Sequence, residues 1–594
     1  MPSSEFYKKR ELQFKQECEC IEKKIRQYSW NRLLLALIMG IFIYAGFSEP
    51  YFFWMLIAPL GVFIALVNRQ SLHKEKKQLA NYLERLNHME GKNVRFEATD
   101  FSDGRRFADP HHSYGHDLDL FGTGSVFQYI NRCCTQLGEE RLAHDLKILP
   151  YKKEELLQRE EAVRELGAMI DFRQQVWAVG KQINDLSFDR SRLLIWLSEK
   201  PFIYKNNVYT LIRWILPAIT LSILGITIYN GSYFPLLFMM AIIQIIIAGF
   251  QARRIGEFQR VLSSAREVLK NYARIFELLS QQKVESPLMK KHHKIAVDAF
   301  EKVKEFSSLV NALESRMNPI AIQFGNGLFL YDFHAVARLE KWREENANDL
   351  PHWLESLSEW DGLLSLATLH YNYPYYAFAE VNEQPVLESR EVGHLLIPDA
   401  VRVNNDFDLG KPAKIYLITG ANMAGKSTFL RSLGVNFVLG RIGSPVCATK
   451  WRMPLIALRS GMRTTDSLQE HQSYFFAELN RLQSIMEELR SGKPMFILLD
   501  EILKGTNSTD KQLGSRELLK QLKDMNALVT LATHDIALGD LAERYPTQIA
   551  NACFEGKIEN EQLTFDYTLH AGVAQKANAT FLMRKMGIIP PEAL

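Results

Sequence analysis

A glycine-framed turn between an apolar strand and a helix constrains this chain more than any other feature. Gly420-Ala421-Asn422-Met423-Ala424-Gly425-Lys426-Ser427-Thr428 follows the run Lys414-Ile415-Tyr416-Leu417-Ile418-Thr419 and precedes Phe429-Leu430-Arg431-Ser432-Leu433, which reads as a helix start. Gly-x4-Gly-Lys-Ser in a strand–loop–helix setting is a phosphate cradle. The glycines let backbone amides close on phosphate oxygens, and the helix N-terminus adds a favourable dipole. The spacing assigns nucleotide contacts to Gly420, Asn422, Met423, Gly425, Lys426, Ser427 and Thr428. Lys426 reaches the β- and γ-phosphates in this reading, and Ser427 ligates Mg²⁺.

Hydrolysis also needs a metal-side carboxylate and a group that activates water. Pro494-Met495-Phe496-Ile497-Leu498-Leu499-Asp500-Glu501 supplies both at the C-terminal end of a buried strand, where α/β sheets place their sites. Asp500 is expected to hold Mg²⁺ through water and Glu501 to act as general base. A third apolar run, Ala527–Thr533, ends in His534-Asp535. A histidine just past that strand end is placed to contact a γ-phosphate.

Together these segments resemble the MutS family of mismatch-repair ATPases. Thr419–Thr428 matches its phosphate loop, Leu499-Asp500-Glu501-Ile502-Leu503-Lys504-Gly505-Thr506 its acidic motif, Ala532-Thr533-His534 its histidine loop, and Tyr567–Ala574 a segment near its C-terminus. Asp117–Phe127 and Arg159–Leu166 resemble the start of its helical core. The resemblance runs from about His111 to the C-terminus, with one interruption. It implies ATP and Mg²⁺ as cofactors and a homodimer of ATPase domains. In such a dimer a signature loop of one subunit contacts the γ-phosphate held by the other. Ser473-Tyr474-Phe475 looks like that loop, making Ser473 a trans-acting catalytic group beside Glu501 and His534. DNA binding is implied as well. A Leu-Ser-Gly-Gly-Gln run of the transporter type does not occur.

Two stretches depart from a soluble repair protein. From Leu33 to Val67 the only charge is Glu49, in a Ser48-Glu49-Pro50 break; from Trp214 to Gln251 there is none, with Asn230-Gly231-Ser232 as the break. Each is long enough for two short spanning helices near the lower length limit of ~17 residues. Lys23, Lys24, Arg26 and Arg32 precede the first, and Arg69, Lys74, Lys76 and Lys77 follow it; Arg213 precedes the second, and Arg253 and Arg254 follow it. Neither tight turn carries Lys or Arg. The positive-inside rule then puts both termini and the ATPase region in the cytosol of a multi-pass membrane protein, with two hairpins in the bilayer. The charged segment before the first apolar run is unlike a cleavable signal peptide.

The expected fold class is multidomain: a mostly α-helical core with transmembrane hairpins plus an α/β P-loop ATPase domain. The expected divisions are a cytosolic N-terminal helix (1–30), a first hairpin (31–68), a linker (69–110), a first core segment (111–209), a second hairpin (210–252), a second core segment acting as a helical lever (253–400) and the ATPase domain (401–594). Lys74–Asn87 reads as an exposed helix, Leu354–Leu369 as the helix returning to the ATPase domain, and the segment around Val401 as extended. A net charge of +3 implies no strong global attraction to nucleic acid. The six scattered cysteines form no pair of Cys-x-x-Cys units, and His111, His112 and His116 beside Asp117 and Asp119 read as a polar loop rather than a metal site. Family members that detect mismatches carry an N-terminal Phe-x-Glu wedge; here that end holds a hairpin, and no β-rich clamp insertion is evident. Lys290-Lys291-His292-His293-Lys294 reads as a solvated helix end. Two functional readings follow: a membrane-anchored MutS-like ATPase that closes a dimer and contacts DNA, or an ATP-driven membrane switch with no DNA role.

Overall fold

The computed structural model describes residues 2–182, 190–314, 316, 318–463, 474–503, 506–559 and 562–574. Thirteen helices precede the first strand among them: α1 (Pro2–Gly46), α2 (Ile57–Asn93), α3 (Val126–Ile130), α4 (Gln136–Ile148), α5 (Lys153–Ala168), α6 (Ile170–Gly180), α7 (Arg190–Ser198), α8 (Asn207–Tyr229), α9 (Phe234–Ser280), α10 (Pro287–Glu314), α11 (Pro319–Phe329), α12 (Tyr331–Asn346) and α13 (Leu350–Asn372). Helix α13 is buried on nearly every face, with Trp353, Leu357, Trp360, Leu363 and Leu366 in the core and Glu359 and Asp361 buried beside them, so it forms the axis of the helical body. It packs against α4, α5 and α10.

The N-terminal region differs from expectation. Helix α1 is not a separate polar helix: Tyr7, Phe14, Cys18 and Ile21 recur at helical spacing, are buried, and face α2. Residues 69–110 are not a linker. Most of that segment continues α2, whose Ala80, Leu83, Leu86 and Met89 are buried. The following stretch is held to the body as well. Arg132 binds the buried Glu90 through Nε (2.5 Å) and Nη2 (3.1 Å) and lies over the Phe101 ring. Tyr7 Oη donates to Asn372 Oδ1 of α13 at 2.8 Å. The charges in this region occupy one face of each helix, which concealed the apolar face opposite.

Among the described residues, four helices are long and apolar enough to cross a membrane: the distal part of α1, the proximal part of α2, α8 and the first half of α9. Their apolar side chains face outward, as in Leu37 (64% exposed), Ile41 (65%) and Phe238 (60%). The pairs are fastened at their bases. Arg32 donates to Gln70 Oε1 and Gln70 to Ser29 Oγ (2.8 Å) between α1 and α2. Gln251 donates to Tyr209 Oη (2.7 Å) between α9 and α8, and deeper along the same pair Gln244 donates to Thr220 Oγ1 at 2.5 Å with both residues fully buried. The approach to α8 is tied to the body by Glu340, whose carboxylate accepts the backbone N–H groups of Phe202, Ile203 and Tyr204 at 2.7–2.9 Å.

The C-terminal lobe contains two sheets. Strands β1 (Glu380–Asn382), β2 (Leu387–Val392), β3 (Asn405–Leu409) and β5 (Lys450–Pro454) form the smaller one, in the order β1-β5-β2-β3. The larger contains β4 (Ile415–Gly420), β6 (Ala457–Gly461), β7 (Met495–Asp500), β8 (Ala527–Thr533), β9 (Ile549–Glu559) and β10 (Gln562–Ala571), in the order β10-β9-β4-β8-β7-β6. It is parallel apart from the antiparallel β9–β10 pair. Helices α14 (Lys426–Arg441), α15 (Tyr474–Arg490), α16 (Ser508–Leu522) and α17 (Asp540–Arg544) complete the lobe. Both faces of the larger sheet are covered, so its central strands read as continuous apolar runs. In β7, Phe496 and Leu498 pack into the core shared with α14 and the helical body, while Met495, Ile497 and Leu499 pack into a second core with α15 and α16. The segment around Val401 is a turn rather than a strand; extended structure begins at Asn405.

Candidate functional site

The larger sheet delivers the sequence motifs to one edge. Strands β4, β7 and β8 are adjacent and parallel, so Gly420, Asp500 and Thr533 end side by side. The chain turns from β4 into α14 through Met423 (φ +69°) and Gly425 (φ +104°), both left-handed. A Cβ on Gly425 would lie 3.1 Å from the Tyr567 ring, so this close approach requires glycine. Glu501, immediately after β7, also has a positive φ (+53°) and donates its backbone N–H to Ala532 O at 2.9 Å, which turns the chain sharply at the strand end.

Lys426 begins α14 and is buried, at 5% exposure. Its Nζ donates to Gly420 O (2.9 Å) and Ala421 O (2.8 Å) and lies 3.3 Å from His534 Nε2. His534 Nε2 also pairs with the Glu501 carboxylate. The ammonium, the imidazole and the carboxylate therefore form a contiguous chain across β4, β8 and β7. The cavity above them measures about 380 Å³ and is lined by Asn422, Met423, Gly425, Lys426, Ser427, Thr428, Asp500, Glu501 and His534. These are the residues singled out in the sequence except Gly420, which does not line the cavity and meets it only through the carbonyl that accepts from Lys426. Ser473, the expected trans-acting group, lies outside the described residues.

The opposite wall was not anticipated. His394, Ile397, Val401, Arg402, Val403 and Asn405 line it, together with Tyr567. His394 to Val403 belong to the irregular segment between β2 and β3, which has no periodicity to mark it, while Asn405 opens β3 and Tyr567 lies in β10. Asn405 ties β3 to β10 within this wall: its amide donates to Tyr567 O (3.1 Å) and accepts from Leu569 N (2.7 Å). Ala574 N donates to Thr419 Oγ1 at 2.9 Å, so Tyr567–Ala574 is bound directly to the base of the glycine loop. Burial, reinforced by the nearby Arg431, pushes the His394 imidazole down to about 4 and keeps it neutral at pH 7.

Acidic residues of the helical body reach this edge. Asp119 pairs with Arg431 of α14 (3.1 Å) and with Arg463 at the end of β6. Asp117, fully buried, accepts from Ser460 Oγ (2.7 Å), Met462 N (3.2 Å), Arg463 N (3.0 Å) and Arg481 Nη2 of α15 (2.7 Å). Leu118 between them fills the space over Gly434 of α14, where a Cβ would stand 2.5 Å from its Cδ2. The second core motif makes a similar joint. Arg159, buried among Asp145, Tyr151 and Glu359, donates from Nε to Ile442 O just past α14 at 2.8 Å. Both motifs thus serve as joints between body and lobe. Among the described residues, no group of His, Cys, Asp and Glu side chains is arranged to hold a metal ion by itself.

The fit to a nucleoside triphosphate rests on this geometry. The glycine loop is closed over a buried ammonium, the α14 N-terminus opens into the cavity, and one hydroxyl (Ser427) and one carboxylate (Asp500) border the same space.

Comparison with known proteins gives a consistent pattern. Residues 416–592 match the family model MutS domain V. The chain is 28% identical over 293 residues to the DNA mismatch repair protein MutS of Thermotoga maritima, covering 48% of this chain and 34% of that protein. It is 32% identical over 234 residues to the DNA mismatch repair protein MSH3 of Phaeosphaeria nodorum, covering 38% and 20%. A further match, to MutS of Natronomonas pharaonis, is 28% identical over 249 residues, covering 40% and 28%. The chain therefore spans about a third or less of the length of the curated relatives it matches.

Proposed function

This chain belongs to the MutS family through its C-terminal half, and from that premise we propose that it is a membrane-anchored ATPase whose nucleotide cavity drives rearrangement of the helical body. The observation that carries the proposal is the contiguous Lys426–His534–Glu501 chain at the floor of the cavity. Lys426 exchanges its two loop carbonyls for phosphate oxygens and neutralises their charge. Backbone amides from Asn422 to Lys426 and the α14 N-terminus orient the triphosphate. Ser427 and Asp500 would hold Mg²⁺, which would supply charge neutralisation at the phosphates. Glu501 accepts a proton from the attacking water, and His534 fixes the orientation of that carboxylate. Two lobes facing each other across their nucleotides would bring the segment around Ser473 of one to the cavity of the other, giving a homodimer that closes on ATP and reopens after hydrolysis.

The four outward-facing apolar helices support the membrane component of the reading, because so large an unpartnered apolar surface is unfavourable in water. The flanking Arg and Lys residues favour a cytosolic lobe by the positive-inside rule. Movement reaches the hairpins by a physical route: α14 and β6 are joined to Asp117 and Asp119, and α9 runs from the second hairpin into the body.

DNA binding is a second reading, favoured by the relatives being DNA mismatch repair proteins. The described residues between 111 and 379 include no strand that could build a β-rich clamp. ATP turnover in lipid nanodiscs, measured with and without homoduplex, mismatched or branched DNA at low salt, separates the readings. Stimulation by DNA supports the repair-like reading, and turnover indifferent to every DNA supports the membrane switch.

A further inference from the structure

The short helix α11 was not anticipated as a membrane element, and its environment is unusual for the surface of a soluble body. From Met317 to Tyr331 the chain carries no charged residue. Ile320 (70% exposed), Phe324 (68%) and Phe329 (47%) project outward. The asparagines and charges of the stretch are absorbed locally, while Gln323 stays exposed beside Phe324. Asn318 Oδ1 caps the helix by accepting from Ile320 N (3.1 Å) and Ala321 N (3.2 Å), and Asn326 exchanges hydrogen bonds with Asp332 (2.9 and 3.1 Å). The two charges that bracket the stretch, Arg316 and Asp332, pair with each other at 3.0 Å.

The inner face of α11 packs on the second hairpin, against both α9 and α8. The contact falls at Gly327, where a Cβ would stand 3.4 Å from the Ala241 methyl and 3.5 Å from Ile245 Cδ1. Ala241 and Ile245 precede Arg253 by twelve and eight residues on one continuous helix, so they lie about 12–18 Å along α9 from the first charge. That is well inside the apolar half of α9. The chain then returns to the base of the hairpin, where His334 Nε2 meets Arg213 O at 2.8 Å.

We propose that α11 is a re-entrant half-helix: it enters the bilayer beside the second hairpin and presents Ile320, Phe324 and Phe329 to lipid acyl chains. This rests on the reading that the second hairpin spans the membrane. The partner is lipid because the exposed face of α11 continues the outward apolar surface of α8 and α9. Its eleven residues measure about 16 Å, roughly half of a ~30 Å hydrocarbon core. A helix satisfies its own backbone groups at that depth, the paired Asn326 and Asp332 lower the polar cost at the returning end, and the amide of Gln323 is the uncharged polar group the exposed face carries.

The test is spin labelling of the full chain in nanodiscs, in a Cys20→Ser background, with single labels at Ile320→Cys and Phe324→Cys. References are Phe238→Cys in the hairpin and Val297→Cys on the exposed face of α10. Retained nucleotide binding checks folding. The proposal expects labels at 320 and 324 to behave like 238, more accessible to oxygen than to a water-soluble nickel chelate, and opposite to 297. It is overturned if 238 is lipid-exposed while 320 and 324 follow 297. It is also overturned if 320 and 324 are shielded from both reagents with spin–spin broadening, which means that a second copy covers the face. If 238 itself is accessible to nickel, the spanning hairpin is lost, and α11 as a membrane element with it.

Discussion

Asp117 of the helical body and Arg481 of the C-terminal lobe are joined at 2.7 Å, and the Asp117 carboxylate has no solvent exposure. The same carboxylate accepts the backbone amides of Met462 and Arg463, the last described residues before the segment containing Ser473. Removing one partner of a buried pair leaves an uncompensated charge and costs about 3–5 kcal/mol. Asp117→Asn is therefore expected to lower the thermal midpoint of the lobe. It should also reduce ATP turnover more than nucleotide affinity, because the Lys426 side of the cavity does not touch Asp117. Equal loss of both, measured by equilibrium binding and phosphate release, would contradict this division.

Glu501 and His534 are paired at the cavity floor. Glu501→Gln is expected to retain nucleotide binding and to slow hydrolysis by about 10²–10⁴-fold, the usual contribution of a positioned base. His534→Ala should give a smaller loss, because it only orients the carboxylate. Single-turnover kinetics check both, and unchanged turnover in Glu501→Gln would remove the assigned base.

Gln244 donates to Thr220 between two apolar helices, and its Oε1 has no partner among the described residues. Thr220→Val removes the acceptor. Interhelical hydrogen bonds of this kind are worth about 0.6–2 kcal/mol, so a modest fall in the detergent unfolding midpoint is expected. The double variant Thr220→Val/Gln244→Leu should recover some of that loss, since it leaves no orphaned amide.

His292 is buried against α13, with Nδ1 2.8 Å from Ser356 Oγ, and burial pushes its imidazole down to about 4. The folded protein therefore favours the neutral ring, while the unfolded chain takes up a proton near pH 6.5. Its stabilising contribution is complete above that pH and declines as pH falls toward 4, by on the order of 3 kcal/mol in all. His292→Gln should flatten the dependence of the unfolding midpoint between pH 7 and 5 relative to the unaltered chain. An identical slope in both would show that another group titrates.

The cavity residues were legible because their chemistry is concentrated in short runs at strand ends: Asn422, Met423, Gly425, Lys426, Ser427, Thr428, Asp500, Glu501 and His534 all border one cavity. The apolar hairpins were legible by composition alone. His394 and Arg402 were not, because they sit in an irregular segment, and Asn405 was not, because it acts through tertiary position at the start of β3. The N-terminal region was misjudged for a different reason. Tyr7, Phe14, Cys18 and Ile21 form a narrow stripe among many charges, so the average polarity of α1 and of residues 69–110 hid the face that packs. Lys290–Lys294 shows the same effect, since His292 within the basic cluster is buried. Helix α11 escaped notice because an eleven-residue helix is too short to read as a span.

The central claim is that the cavity over Lys426 binds and hydrolyses ATP while the chain is held in a bilayer. Phosphate release by the full chain in lipid nanodiscs, compared between the unaltered sequence and Lys426→Ala, tests it most directly. The account predicts Mg²⁺-dependent release from the unaltered chain and background release from Lys426→Ala. Equal release from both, or none from either with nucleotide still bound, would contradict it.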